Sequence, residues 1–196
     1  MAPAPILAEI DPEAPLWVFG YGSLLWNPEF EVAERVTALL RGYHRSFCMR
    51  SIHHRGTQDD PGLVLALDAV AGGTCEGLAL RVAPGTEAIA LEGLRARELI
   101  SSAYAERLVP LQLTDGRSVQ ALAYVIQTAH VQYCGSIALE EQAQIIARAV
   151  GGRGPNTEYL FNTAQHLDAL GIQDAELDWL VARVKALIGG GADHTC

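Results

Sequence analysis

Hydrophobic positions follow two regimes along the chain. Up to about residue 126 they fall in short runs rich in β-branched and aromatic residues: Leu16 to Gly20, Val36 to Arg41, Ser46 to Arg50, Leu63 to Asp68, Glu76 to Val82, Leu108 to Leu113 and Val119 to Ile126. Turn chemistry at Asp60-Pro61-Gly62, Ala71-Gly72-Gly73 and Asp115-Gly116 separates several of these runs, so they are predicted to be strands in mostly antiparallel pairing, the last two as a hairpin. Helical periodicity dominates later. Helices are predicted around Glu87 to Ser102, over Leu139 to Val150 before Gly151-Gly152, and over Thr157 to Leu170 after an Asn156 or Thr157 cap and before Gly171. A last helix, Leu177 to Ile188 with Asp174 as cap, places Leu177, Leu180, Val181, Val184 and Leu187 on one face. Strands first and helices last predict an α+β fold with a curled or barrel-like, mixed and mostly antiparallel sheet flanked by helices.

No linker, internal repeat or low-complexity tract divides the chain, so a single domain is expected over residues 16–188. Residues 1–15 form an extension, and the tail 189–196 is expected to be disordered. At 196 residues and 49% hydrophobic content a sizeable core is possible. A net charge of −9, from 14 basic and 23 acidic residues, argues against nucleic acid as a partner. The same field repels an acidic ligand, which must therefore be held locally by oriented N–H groups or by individual arginines such as Arg45, Arg50 and Arg55. Cys48, Cys75, Cys134 and Cys196 are far apart and form no C-x-x-C pair, so unpaired thiols are expected and neither a zinc ribbon nor a dithiol redox site is supported. The segment Met1 to Glu13 lacks a basic start followed by an apolar run, and no apolar stretch reaches the roughly 18 residues of a spanning helix. A cytoplasmic protein with no membrane partner and no evident obligate protein partner is expected.

The run Trp17-Val18-Phe19-Gly20-Tyr21-Gly22-Ser23-Leu24 is a buried-type strand that breaks into two glycines around a tyrosine. Glycine lets backbone N–H groups approach a ligand closely, so this loop has the composition of an anion or oxyanion cradle. On the helix around Glu87 to Ser102, at about 100° per residue, Glu98 shares a face with Leu91 and Leu94 and so points inward. Burial would disfavour its charged form and suit it to act as a base near neutral pH. The alternative is an i,i+3 pair between Arg95 and Glu98 on a half-exposed helix.

Other chemistry is less well supported. Ser23 as a nucleophile lacks the second glycine of G-x-S-x-G, and Gly20 and Gly22 open a G-x-G-x-x-G whose third position is Leu25. His53 and His54 are adjacent and without further ligands, so a shared metal is not expected. Trp26, Tyr43, Phe47 and Phe161 suit core or pocket walls, and Glu140-Glu141 suits a solvated helix start.

Five segments occur in an order that resembles one known family: Tyr21-Gly22-Ser23-Leu24, Gly42-Tyr43-His44-Arg45-Ser46-Phe47, Arg55-Gly56-Thr57 with Pro61-Gly62, Arg97-Glu98, and Asn156-Thr157-Glu158-Tyr159-Leu160-Phe161. Together they resemble the ChaC-type γ-glutamylcyclotransferases from about Trp17 to about Leu187. The resemblance implies that Glu98 is the catalytic acid/base. It also implies that Val18, Phe19, Gly20, Tyr21, Gly22 and Ser23 hold a γ-glutamyl group, with Tyr133, in Val131-Gln132-Tyr133-Cys134-Gly135, facing the site. Where some members follow the glutamate with a glycine pair and a tyrosine, this chain has Leu99-Ile100-Ser101-Ser102-Ala103-Tyr104. The implied reaction, without metal or organic cofactor, closes a γ-glutamyl group into 5-oxoproline, and from glutathione it releases cysteinylglycine. Action on other γ-glutamyl amino acids or amines, and a non-catalytic γ-glutamyl-binding module, remain open alternatives.

Overall fold

The computed structural model describes residues 14–190; most of the 1–15 extension and the tail from residue 191, including Cys196, lie outside the described residues. The described residues form two compact units, 14–45 with 67–130 and 46–66 with 131–190, and two of the three boundaries fall inside long strands while the third lies in the loop after residue 126.

The first unit is built on a closed barrel of β1 (Trp17–Gly20), β2 (Val32–Ser51), β3 (Gly62–Val82), β4 (Tyr104–Leu113) and β5 (Ser118–Ile126), in the order β1-β3-β2-β4-β5. Four apolar residues suffice for β1 because it has a neighbour on each side: Val18 pairs antiparallel with Leu80 and parallel with Leu122, and every residue of the strand is buried. The β4–β5 hairpin turns at Asp115-Gly116 as predicted, with Gly116 at φ +93° and the Asp115 carboxylate accepting from the Arg117 N–H. Phe19, Leu40, Leu67, Leu111 and Ala121 fill the interior.

The sheet differs from expectation in length. Val36 to Arg41 and Ser46 to Arg50 belong to one 20-residue strand, and Leu63 to Asp68 and Glu76 to Val82 to one of 21. Gly42 at φ +83° and Gly72 at φ +76° explain the difference, because glycine takes the left-handed conformation without steric cost and lets a strand bend instead of stopping. Helix α1 (Glu87–Glu98) buries Ala90, Leu91 and Leu94 and ends earlier than Ser102, where a turn closes from the Ser102 N–H to the Leu99 carbonyl.

The second unit carries α2 (Leu139–Arg148), a two-residue ladder of β6 (Val150–Gly151) and β7 (Gly154–Pro155), α3 (Asn156–Ala169) and α4 (Ala175–Gly190). Ile146, Leu160, Leu180 and Val184 are fully buried among these helices. Asp174 caps α4 as expected, accepting from the Leu177 N–H at 3.1 Å, and the helix continues to Gly190, two residues past its predicted end. Asn156 is not a cap. Its amide is fully buried and bonds both the N–H and the carbonyl of Leu63 at 2.7 Å, so it ties the start of α3 to the near end of β3.

Candidate active site

The first unit brings the two strongest candidates together. β1 ends at Gly20, and after Tyr21-Gly22 a single 3₁₀ turn (Ser23–Leu25) closes from the Leu25 N–H to the Gly22 carbonyl at 2.9 Å. That closure leaves the Gly22, Ser23 and Leu24 N–H groups outside the turn's own bonding. Gly22 is at φ −136°, not the positive φ that glycine alone favours. The loop is held from beneath: buried Arg45 donates to the Tyr21 carbonyl at 3.3 Å and to the Glu76 carbonyl at 2.9 Å, and the Tyr21 hydroxyl donates to the Tyr124 carbonyl at 2.8 Å. Val18 and Phe19 are fully buried strand residues, so their side chains serve the barrel and their contribution to the loop is backbone alone.

Glu98 is the last residue of α1 and faces inward with its side chain 16% exposed. Its neighbour Arg97 links it to the loop: Nε lies 3.0 Å from Glu98 Oε1, Nη2 donates to Ser23 Oγ at 2.6 Å, and Nη1 donates to the Asn27 carbonyl at 2.6 Å. Glu98 is therefore not an isolated inward carboxylate, since the Arg97 guanidinium lies directly against it. The i,i+3 alternative is not what Arg95 does. Its guanidinium forms a bidentate pair with Glu106 on β4, at 2.8 and 2.9 Å, which raises the Arg95 pKa and leaves the group firmly charged.

Glu106 also accepts from the Tyr124 hydroxyl at 3.2 Å, across a register that sets Glu106 opposite Tyr124 on the hairpin. Burial, and then the fields of Glu106 and Glu98, push the Tyr124 phenol far above its ordinary value, so it stays neutral and donates. Glu98, Arg97, Arg95, Glu106 and Tyr124 thus form a polar cluster on the barrel wall next to the glycine loop. Of these, Glu98, Arg95 and Arg97 were named from the sequence, and Glu106 and Tyr124 were not.

The remaining candidates are placed elsewhere or given structural work. Tyr133 lies in the second unit, in an antiparallel bridge with Met49, beside the bond from the Arg50 N–H to the Gln132 carbonyl. Arg55 is buried, pairs with Glu158 at 3.2 Å, and lies over the Tyr159 ring, so it braces α3 rather than awaiting an anion. Ser23 Oγ accepts from the Arg97 guanidinium, a cation and not a base, which is not the arrangement of an activated nucleophile. His53 and His54 sit in the loop after β2, and among the described residues no group of three His, Cys, Asp or Glu could hold a metal ion. Phe47 packs edge-on against Tyr159 in the interior, and Glu140, solvated in the first turn of α2, also pairs with Arg183. Cys48, Cys75 and Cys134 form no disulfide, and burial pushes the Cys134 thiol up. No helix among the described residues is long and apolar enough to cross a membrane.

Residues 16–187 match the family described as ChaC-like protein. The chain is 41% identical over 176 residues to the glutathione-specific γ-glutamylcyclotransferase of Escherichia coli (strain K12), covering 90% of this chain and 75% of that one. It is 35% identical over 179 residues to the glutathione-specific γ-glutamylcyclotransferase 1 of Homo sapiens, covering 90% and 80%. In fold it is similar to the crystal structure of a γ-glutamyl cyclotransferase specific to glutathione from yeast, with a TM-score of 0.79 at 23% identity over 88% of this chain and 96% of that one.

Proposed function

The chain belongs to the ChaC-like family, and from that membership together with the site geometry we propose that it is a γ-glutamylcyclotransferase that degrades glutathione to 5-oxoproline and cysteinylglycine. One observation carries the reading: an inward-facing carboxylate, Glu98, is held on the same guanidinium as Ser23 of the glycine loop, so a proton acceptor and a set of backbone donors share one site. Intramolecular aminolysis needs those two things. The substrate's α-ammonium must give up a proton, which Glu98 accepts, before its nitrogen attacks the γ-carbonyl carbon to close the five-membered ring. Negative charge then develops on the carbonyl oxygen, and N–H groups of the Gly20 to Ser23 loop stabilise it. As the γ-carbon to cysteine-nitrogen bond breaks, the protonated Glu98 returns its proton to the departing amine, and the ring nitrogen gives up its second proton through the carboxylate so freed, leaving the neutral lactam and cysteinylglycine as an ammonium. No bond to the enzyme forms at any stage.

The purified protein incubated with glutathione and a panel of γ-glutamyl amino acids and amines, with products identified by mass spectrometry, tests this directly. Cysteinylglycine and 5-oxoproline from glutathione, and far slower turnover of the others, are expected. Preferred turnover of another member of the panel would keep the ring closure and replace the leaving group, and binding without turnover of any compound would leave a binding module.

A further inference from the structure

Arg97 reaches several separated segments from one end of α1. Besides Glu98, Ser23 Oγ and the Asn27 carbonyl, its Nη1 lies 3.3 Å from the Glu29 carboxylate, while the Asn27 amide also donates to Glu29. All three guanidinium nitrogens are engaged although the side chain is only 7% exposed. An arginine needed only for its charge would sit in water, where such a pair contributes little. Withdrawing a cation from solvent is sustained when acceptors meet its N–H groups, and a planar fork with five donors can serve base and loop at once.

We propose that Arg97 is a positioning residue for the cyclotransfer, whose guanidinium locks the Ser23 end of the glycine loop and the Glu98 carboxylate into a single geometry. The inference rests on the function proposed above. It accounts for why an arginine, and not a lysine, stands there: an ammonium is a single donor atom, with no fixed fork to span a hydroxyl, a carbonyl and a carboxylate in one plane. The charged and titratable groups that share the site, Glu29 after the 3₁₀ turn, Arg95 on α1, Glu106 on β4 and Tyr124 on β5, stay unchanged in the variants below.

Arg97→Lys should melt near the wild-type temperature yet lose roughly 10²-fold in turnover, mostly in kcat rather than KM, as expected when reacting groups are misplaced rather than substrate contacts removed. Ser23→Ala, mild by itself, should add little in the Arg97→Lys background, because the link it removes is already broken. Arg97→Met, which keeps the chain length and removes every donor, should lose at least as much, again mostly in kcat. Should Arg97→Met fail to fold, the Lys variant and its coupling to Ser23 decide the matter. An active wild type in which Arg97→Lys stays within about threefold, with additive Ser23→Ala, overturns this inference alone; a wild type that turns over no γ-glutamyl compound overturns the proposed function and this inference with it.

Discussion

At the scale of single residues, the assignment stands or falls on Glu98. Glu98→Gln keeps the shape and an acceptor for Arg97, which also remains bonded to Ser23 and the Asn27 carbonyl, so the melting temperature should barely move. Turnover should fall by about 10²-fold or more, because the amide cannot take the ammonium proton; near wild-type rates in the Gln variant would remove Glu98 from the mechanism. Ser23→Ala should lose less, since the backbone donors of its loop remain, and a loss equal to that of Glu98→Gln would return Ser23 to consideration as a nucleophile. Glu98 stood out in the sequence on two counts, its place on the Leu91 and Leu94 face, which by itself left a pair with Arg95 open, and the Arg97-Glu98 pair of the family resemblance. Arg97 was named only as the other half of that pair, and its contact with Ser23 could not be read, because the two lie 74 residues apart. Tyr124 and Glu106 were hidden for a related reason: alternation shows that β5 is buried, but only the register shows what stands opposite.

At the scale of elements, the position of β1 decides where the loop starts, and a single glycine on its neighbour controls that position. A Cβ at Gly77 would lie 2.4 Å from the Gly20 carbonyl oxygen and 2.9 Å from the ring of fully buried Phe19, neither of which can yield cheaply. Gly77→Ala should therefore destabilise by about 1–3 kcal/mol, as overpacking does, and should depress turnover even at temperatures where it is fully folded, because the clash pushes on the residue that leads into the loop. Gly93→Ala is the matched control: it lies in the middle of α1 with nothing within 4 Å, and should be neutral or slightly stabilising. If both variants melt together and work equally well, the β1 to β3 contact does not set the loop. The element pattern itself was largely legible, since runs of four to nine residues in period two and capped helices leave strong signals. What failed was the reading of glycine as punctuation. Gly42 and Gly72 look like strand ends in a sequence, yet at positive φ they bend strands that closure of the barrel requires to be long.

At the scale of the whole molecule, a net charge of −9 offers no steering to an anionic tripeptide, so recognition has to come from local groups, and the chemistry from the substrate as much as from the protein. The division into two units was not legible in the sequence, because two of its three boundaries lie inside β2 and β3 where composition does not change. The described thiols are also outside the mechanism: Cys48 and Cys75 are buried, and the raised pKa of Cys134 keeps it a poor nucleophile near neutral pH, so alkylation that does not unfold the protein should leave turnover intact. The nucleophile is instead the α-amine of the γ-glutamyl group. N-acetylating that amine in glutathione should abolish the reaction altogether, since an amide nitrogen cannot be deprotonated by a carboxylate or attack a neighbouring amide carbonyl. Incubating unmodified glutathione in ¹⁸O-labelled water should yield 5-oxoproline without label, because water never reaches the γ-carbon. Free glutamate carrying ¹⁸O, or continued cleavage of the N-acetyl compound, would show that water or a side chain attacks, and the ring closure would give way to hydrolysis at the same site.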